Sequence, residues 1–479
     1  MRYIQGRSRH QATLLPEVLD DFIGKNHAAR FIDAFVDELD FADLGFTHGK
    51  TKSTGRKPYS PGDLLKLYIY GHLNQIRSSR LLEKATRQNV EVMWLLGRLT
   101  PDFKTIADFR KDNGDALKGT LGKFVVMCKK LNLFGNTLVA IDGSKFKASN
   151  HNSRNYTQGK IKKLIKSIDK KIDNYLKTMD LADKKEDENT EAPLSASELQ
   201  NKIKELRERK NELSEMDQSM RDSGETQVSL TDKDSRKMRA STGKSDMCYN
   251  VQIVTDSKHK LIVCAEVTND VNDMNQLSNM AVKAKETLGA DSIQAVADAG
   301  YFNSPELKKC HDKNIKCFVP RPNRSQNRAK GFFAKADFKY MKDGDYYVCP
   351  AGQKLIFRGL RKMKNMTVKR YQTSDCKTCK IREKCTASKR YNRQIERCID
   401  EDIADVADKR AKKNPKIMAL RQQMVEHPFG TLKLWMGDRH FLTRGFKKVS
   451  GEFALAALTY NIRRAINIFG VKELVKMVA

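Results

Sequence analysis

At Thr137 the apolar pattern of the chain changes period, and a fold that ignores the change cannot bury its hydrophobic residues. Upstream, apolar side chains recur at helical spacing. Downstream come the short β-branched runs Leu138–Ile141, Tyr249–Val254, Leu261–Val267 and Ile293–Ala297, with a helical segment from about Met274 to Leu288 before the last. The turn Thr255–His259 joins the second and third runs at hairpin distance. Strand, long excursion, hairpin, helix and strand is the order of a mixed α/β sheet, here preceded by an all-α region.

That region is expected to span residues 1–125. Ser60-Pro-Gly-Asp63 offers a capping serine, a first-turn proline and an early acid ahead of Leu64, Leu65, Leu67 and Tyr68, and Thr100-Pro-Asp102 repeats the device. Between them the basic turn Ile76-Arg-Ser-Ser-Arg80 leads into another apolar stretch. Such a bundle either presents a helix to a DNA groove or supports a catalytic domain, and the sequence leaves both open. Two segments interrupt the sheet region, which is expected at 126–157, 226–302 and 415–479. In residues 158–225, Ile161, Leu164, Ile168, Ile172, Tyr175, Leu199, Ile203, Leu206 and Leu213 predict two amphipathic helices flanking the acidic, polar stretch Ala182–Pro193, a helical hairpin whose stripe is packing. Residues 303–414 form a second insertion, strongly basic between Lys308 and Lys330 and again from Arg358 to Arg370.

At 479 residues the chain should form two or three folding units. Its 90 Lys+Arg against 59 Asp+Glu give a net charge of +31. That excess suits a polyanionic partner bound with counterion release, or else a solvated basic surface. No stretch reaches the roughly 18 apolar residues of a membrane span, and the first ten residues lack an apolar signal region. A soluble, cytoplasmic protein with reduced cysteines is expected.

Three acids stand in settings unlike the rest of the chain: Asp142 in Val139-Ala-Ile-Asp-Gly-Ser-Lys145, Asp298 in Ala295-Val-Ala-Asp-Ala-Gly-Tyr301, and Glu426 in Val425-Glu-His-Pro-Phe-Gly-Thr-Leu-Lys433. The first two close apolar runs, so each carboxylate is expected at the end of a buried strand, while Glu426 before His427-Pro428 reads as opening a helix. Hard oxygen ligands suit Mg²⁺ or Mn²⁺. Taken singly, each acid also reads as a turn or helix-cap residue, and His427 as structural.

These strings resemble the catalytic acids of the DDE insertion-sequence transposases, whose core is a ribonuclease H-like sheet. The resemblance extends to Gly55-Arg-Lys-Pro-Tyr-Ser-Pro-Gly-Asp-Leu-Leu-Lys-Leu-Tyr68, Ile76–Arg80, Pro101-Asp-Phe-Lys-Thr-Ile-Ala-Asp-Phe-Arg110 and Tyr249-Asn-Val-Gln252. It implies that Asp142, Asp298 and Glu426 are catalytic and hold Mg²⁺ or Mn²⁺. It further implies cleavage of double-stranded DNA at the element's terminal inverted repeats and transfer of the 3′ ends to target DNA, by a homodimer on DNA. Lys433, seven residues after Glu426, matches a lysine that related enzymes place on end DNA, and Arg421, Lys145, Arg77 and Arg80 are further expected DNA contacts. The companion Tyr and Arg of that signature are absent: Ala419 and Gln422 occupy the positions seven and four before Glu426, with Arg421 one residue off. Two rivals stay open, a catalytically silent DNA-binding derivative and a nuclease that cuts without joining.

Cys376-x2-Cys379, with Cys385 after it and Cys349 upstream in Tyr347-Val-Cys-Pro-Ala-Gly352, has the beginnings of a Zn²⁺ ribbon. The alternative is a set of reduced, uncoordinated thiols, as expected of Cys128, Cys248, Cys264, Cys310, Cys317 and Cys398.

Overall fold

The computed structural model of the chain describes residues 18–50, 57–183, 196–239, 243, 245–322, 325–363, 366–388 and 390–478. The opening of the Gly55–Tyr68 string and most of the acidic stretch Ala182–Pro193 lie outside them. The molecule is mixed α/β with a helical N-terminal region.

That region comprises α1 (Ala28–Asp37), α2 (Pro61–Leu73), α3 (Ser79–Gln88), α4 (Val90–Leu95), α5 (Phe103–Asp112) and α6 (Gly114–Lys130). Ser60 caps α2 as its sequence suggests, its hydroxyl accepting from the Gly62 N–H at 3.1 Å. At α5 the cap is Asp102 rather than Thr100, because the carboxylate takes both the Lys104 and Thr105 N–H groups at 2.9 Å.

The main sheet begins with β1 (Leu138–Lys147). A small ladder of β2 (Asn155–Thr157) with β3 (Gln227–Ser229) then brackets the hairpin of α7 (Gln158–Asp183) and α8 (Ala196–Ser223). Ile161, Ile168, Ile172, Ile203 and Leu213 bury against one another there, so the apolar stripe is packing, as read. After β4 (Arg236–Arg239), β5 (Ser245–Asp256) lies antiparallel to β1, and β6 (Ile262–Thr268) lies antiparallel to β5 on its far edge. The chain crosses through α9 (Leu277–Leu288) to β7 (Ile293–Val296), parallel to β1, and through α10 (Ser304–Asp312) to β8 (Ile315–Phe318), parallel to β7. The six-stranded sheet therefore runs β5-β1-β7-β8, with β4 and β6 both antiparallel to β5 on its outer edge, so that β1 has antiparallel strands on one side and a parallel pair on the other.

Beyond the short α11 (Gln326–Ala329), β9 (Lys339–Met341), β10 (Tyr346–Val348), β11 (Lys354–Met363), β12 (Met366–Gln372) and β13 (Gln394–Cys398) form a second, antiparallel sheet over a small core of Phe338, Tyr347, Leu355, Tyr371 and Ile395. Much of the charge of this insertion is internally matched: Arg321, Lys335 and Arg397 each pair with Glu401, at 3.0, 2.7 and 3.8 Å.

The chain ends with α12 (Glu401–Lys413), α13 (Pro415–Gly430), α14 (Phe446–Phe469) and α15 (Val471–Val478). The sequence suggests that one apolar face of α14 packs on the sheet. In fact the helix is buried on all sides from Val449 to Ile462, lying between β6 and helices α2, α5 and α6, as an apolar helix without a solvent stripe must. Asn461 clips it to the sheet by accepting from the Ile262 N–H and donating to the Ile262 carbonyl, both at 2.8 Å.

α14 crosses α6 where two glycines meet. A Cβ on Gly451 would stand 2.5 Å from the Gly114 Cα and 3.0 Å from its carbonyl oxygen. Gly451→Ala is accordingly expected to lower stability by about 1–3 kcal/mol, because backbone has to move. Gly122→Ala, on an open part of α6, should be neutral or stabilising by up to about 1 kcal/mol. Chemical-denaturation midpoints of the two variants check the contrast.

Candidate active site

The parallel register pairs Ala140 of β1 with Val296 of β7. Two residues further along each chain are Asp142 and Asp298, so the sheet itself sets them level with one another. Side chains alternate faces along a strand, and here Val139, Ile141 and Ala295 enter the main core while Ala140, Val296 and Phe318 pack with Met424 and Val425 of α13. Asp142 and Asp298 share the parity of Ala140 and Val296 and therefore belong to the face that α13 covers. The expectation that Asp142 ends its strand is corrected. β1 runs on to Lys147 because β5 pairs along it as far as Cys248, and it is the neighbour β7 that stops. Asp298 does follow its strand, capping the 3₁₀ turn Ala299–Tyr301 by accepting from the Gly300 N–H at 2.8 Å.

Burial, above all, pushes the Asp142 carboxyl up to about 6; Arg421 opposes the shift, and the nearby Asp298 and Asp273 add to it. Arg421 Nη1 lies 3.8 Å from Asp142 Oδ2. The arginine that misses the signature spacing by one residue is thus the α13 side chain that reaches Asp142.

α13 begins at Pro415, so Glu426 lies well inside the helix instead of opening it. Pro428, which reads as a start signal, lies instead inside α13, three residues before the chain passes into the π-helical turn Thr431–Trp435. Glu426 is exposed, and its carboxylate accepts from Gln422 Nε2 at 2.7 Å. His427 Nδ1 is 2.9 Å from the Tyr460 hydroxyl of α14, a structural contact.

Lys433 does not project into solvent. Its ammonium donates to Ser144 Oγ at 2.5 Å and to the Lys145 carbonyl at 2.9 Å over the Phe146 ring, and burial lowers its pKa. Lys145 turns to Asp273, 3.5 Å away. Asp273 is the site residue that sequence reading missed: its Oδ1 accepts from Asn250 Nδ2 and Gln252 Nε2, both at 2.7 Å, and Gln252 in turn accepts from the buried Tyr301 hydroxyl. A Cβ on Gly143 would fall 2.6 Å from that Asp273 oxygen and closer still to Gln252, so the glycine after Asp142 is what admits this layer. The signal was available in Tyr249-Asn-Val-Gln252 and Tyr301, whose polar side chains sit in otherwise apolar strings.

Arg77 is placed in the interior, against Asp438 and Glu452, and is a clamp between regions of the fold, contrary to the expected DNA contact. Arg80 is exposed and lies over the Phe103 ring. Among the described residues, no three His, Cys, Asp or Glu side chains stand in a ready ligating set, so Asp142 and Asp298 come together without Glu426 joining them. The fit to a divalent cation rests on the two level carboxylates, a hard-oxygen pair made uncomfortable by burial and mutual repulsion, with water to complete the shell.

Residues 17–112 match the model of a transposase domain (DUF772), and residues 348–466 match that of a transposase DDE domain. The second stretch contains Glu426, while Asp142 and Asp298 lie outside both. A cryo-EM structure of the piggyBac transposase synaptic complex with hairpin DNA aligns over 95% of this chain and 79% of that one, at 8% identity and a TM-score of 0.33. No curated protein matches. Carrying both domains, the chain is a transposase. The second of those domains is of the DDE type.

Proposed function

We propose that the chain cuts double-stranded DNA at the terminal inverted repeats of an insertion element and joins the freed 3′ ends to target DNA, using Mg²⁺ or Mn²⁺ held by Asp142 and Asp298. The observation that carries this reading is the level placement of those two acids, with the Asp142 carboxyl raised by burial and by its neighbour. The strand order β6-β5-β1-β7-β8, antiparallel on one side of β1 and parallel on the other, supports reading this sheet as a ribonuclease H-like core. In this reading the core is 126–157, 226–302 and 415–479, joined by α10 and β8, which the expected boundary at 303 had left in the insertion; the N-terminal helical domain is 1–125, 158–225 is one insertion, and the rest of 303–414 is the other.

A bound divalent cation lowers the pKa of a water and neutralises charge on the leaving oxygen of a phosphodiester. The chain's own residues prepare the place. Arg421 holds the Asp142 carboxylate and brings positive charge to where a phosphate would lie. Lys433 pins the β1 backbone beyond Asp142, and Asp273 braces Lys145 and the Asn250–Gln252 layer. Glu426 would turn from Gln422 to complete the acidic set from α13. The positive excess of 31 charges suits DNA as partner, and pairing two element ends calls for two copies of the chain. No described helix is long and apolar enough to cross a membrane.

The test is to incubate the protein and Mg²⁺ with a target plasmid and DNA bearing the terminal repeats, intact or pre-cut to 3′ hydroxyls. Cleaved ends and joined product are expected. Cleavage with no joining of pre-cut ends would make the chain a nuclease, and binding without either product would make it a silent DNA-binding derivative.

A further inference from the structure

We propose that Cys349, Cys376, Cys379 and Cys385 bind one structural Zn²⁺ as a tetrathiolate that fixes the loops of the basic insertion. The four residues come from two separate places in the chain. Cys349 starts the turn joining β10 to β11; Cys376 and Cys379 lie in and just after the 3₁₀ turn Asp375–Thr378, and Cys385 follows the turn Arg382–Lys384. All four nevertheless line one small cavity, of about 20 Å³, together with Phe338, Leu355 and Ile381. All are free thiols and all are partly buried, whereas the other six cysteines are fully buried.

Local hydrogen bonds fix the turn at Cys349. The Gly352 N–H closes the turn onto the Cys349 carbonyl at 2.8 Å, and the Gln353 N–H points at the Cys349 sulfur at 3.3 Å. On the other wall, Arg382 donates to the Cys376 carbonyl at 3.1 Å and holds the Cys376–Cys379 turn against the Cys385 turn. The Cys385 thiol lies close enough to the Cys349, Cys376 and Cys379 thiols to interact with all three.

There is also an energetic need. Among the described residues the second sheet is built over the small cluster of Phe338, Tyr347, Leu355, Tyr371 and Ile395, while Ile356, Phe357, Leu360 and Met363 of β11 stay exposed. Loops with so little apolar area to bury are where a metal supplies folding free energy directly. Thiolates at four positions with no open site suit Zn²⁺ in a structural role, at Zn–S distances of about 2.3 Å. The sulfurs line the cavity without yet forming a ligating set, so binding draws them inward and releases their protons.

Elemental analysis of the full chain, purified under reducing conditions without chelator, is expected to give one zinc per chain. Chelator-stripped protein given Co²⁺ should develop thiolate-to-cobalt charge transfer and the strong d–d bands of tetrahedral coordination. Cys376→Ser and Cys379→Ser should lose both signals. Cys398→Ser, in β13 and outside the cavity, should keep them. The wild-type measurements decide the matter even if the serine variants fail to fold. Absence of both zinc and the charge-transfer band overturns the proposal, as does stoichiometric cobalt bound without thiolate charge transfer, or a signal that survives loss of Cys376 and Cys379.

Discussion

Asp142→Asn is expected to abolish DNA cleavage and, in the same protein, to raise its thermal stability. The activity loss follows from removing one of two level carboxylates proposed to hold the cation, whose stabilisation of the transition state is worth several kcal/mol. At about 1.4 kcal/mol per decade the rate should fall on the order of 1,000-fold or more. The stability gain follows from the folded environment. Burial and the nearby Asp298 raise the Asp142 carboxyl from 3.8 to about 6, so the ionised form is disfavoured in the folded chain. For a raised acid, the destabilisation is fully present above about 6, fades as the pH falls through that value, and is gone below 3.8. Its size, reduced for the 24% of the side chain still exposed, is about 1–2 kcal/mol. Melting of the variant and the wild type in chelator should therefore differ most at pH 7–8 and converge near pH 4. Adding millimolar Mg²⁺ should stabilise the wild type and leave Asp142→Asn unmoved. A variant that cuts DNA, or that melts below the wild type at neutral pH, refutes the assignment.

Strands β1, β5, β6 and β7 were legible in the sequence because each carries an apolar run rich in Val and Ile, whereas β8 was missed because its short string Ile-Lys-Cys-Phe sits in basic sequence that reads as insertion. Asp142 and Asp298 were legible because each follows such a run. Their common level was not, since it depends on a register between strands more than 150 residues apart, and neither sequence nor spacing encodes where β7 stops. α13 was misread at Pro428, a residue that usually begins or breaks a helix and here lies inside one. Asp273 was passed over because a polar loop residue shows its partners only once Asn250, Gln252 and Lys145 are folded around it. Arg77 was assigned to DNA on charge and neighbourhood alone, and a buried arginine carries the same letter as an exposed one.

That buried arginine carries the second large effect. Arg77 follows α2, and its guanidinium bridges to the C-terminal part of the chain, with Nε 2.6 Å from Asp438 and Nη2 3.1 Å from Glu452, while its nitrogens also donate to the Gly437 and His440 carbonyls at 2.9 and 2.8 Å. Glu452, on α14, is 1% exposed and also accepts from the Leu442 and Thr443 N–H groups, both at 2.9 Å, and from the Thr443 hydroxyl at 2.7 Å. Arg110 of α5 approaches the same carboxylate at 4.0 Å, and His72 of α2 lies 3.5 Å from Asp438. The helical N-terminal region is thus tied to α14 by charges with little access to water. Removing one partner leaves the others desolvated and unmatched, which costs about 3–5 kcal/mol. Glu452→Ala and Arg77→Ala should each lower the denaturation midpoint by that amount, far more than Arg80→Ala on the exposed face. The double variant should cost less than the sum of the two, since the second loss removes a charge the first had stranded. DNA binding separates the roles further. Where Arg77→Ala remains folded at low temperature, its affinity should keep the salt dependence of the wild type, whereas losing a true phosphate contact would reduce the slope by about one. A reduced slope with unchanged stability would return Arg77 to the DNA surface and remove the clamp from this account of how the two regions are held together.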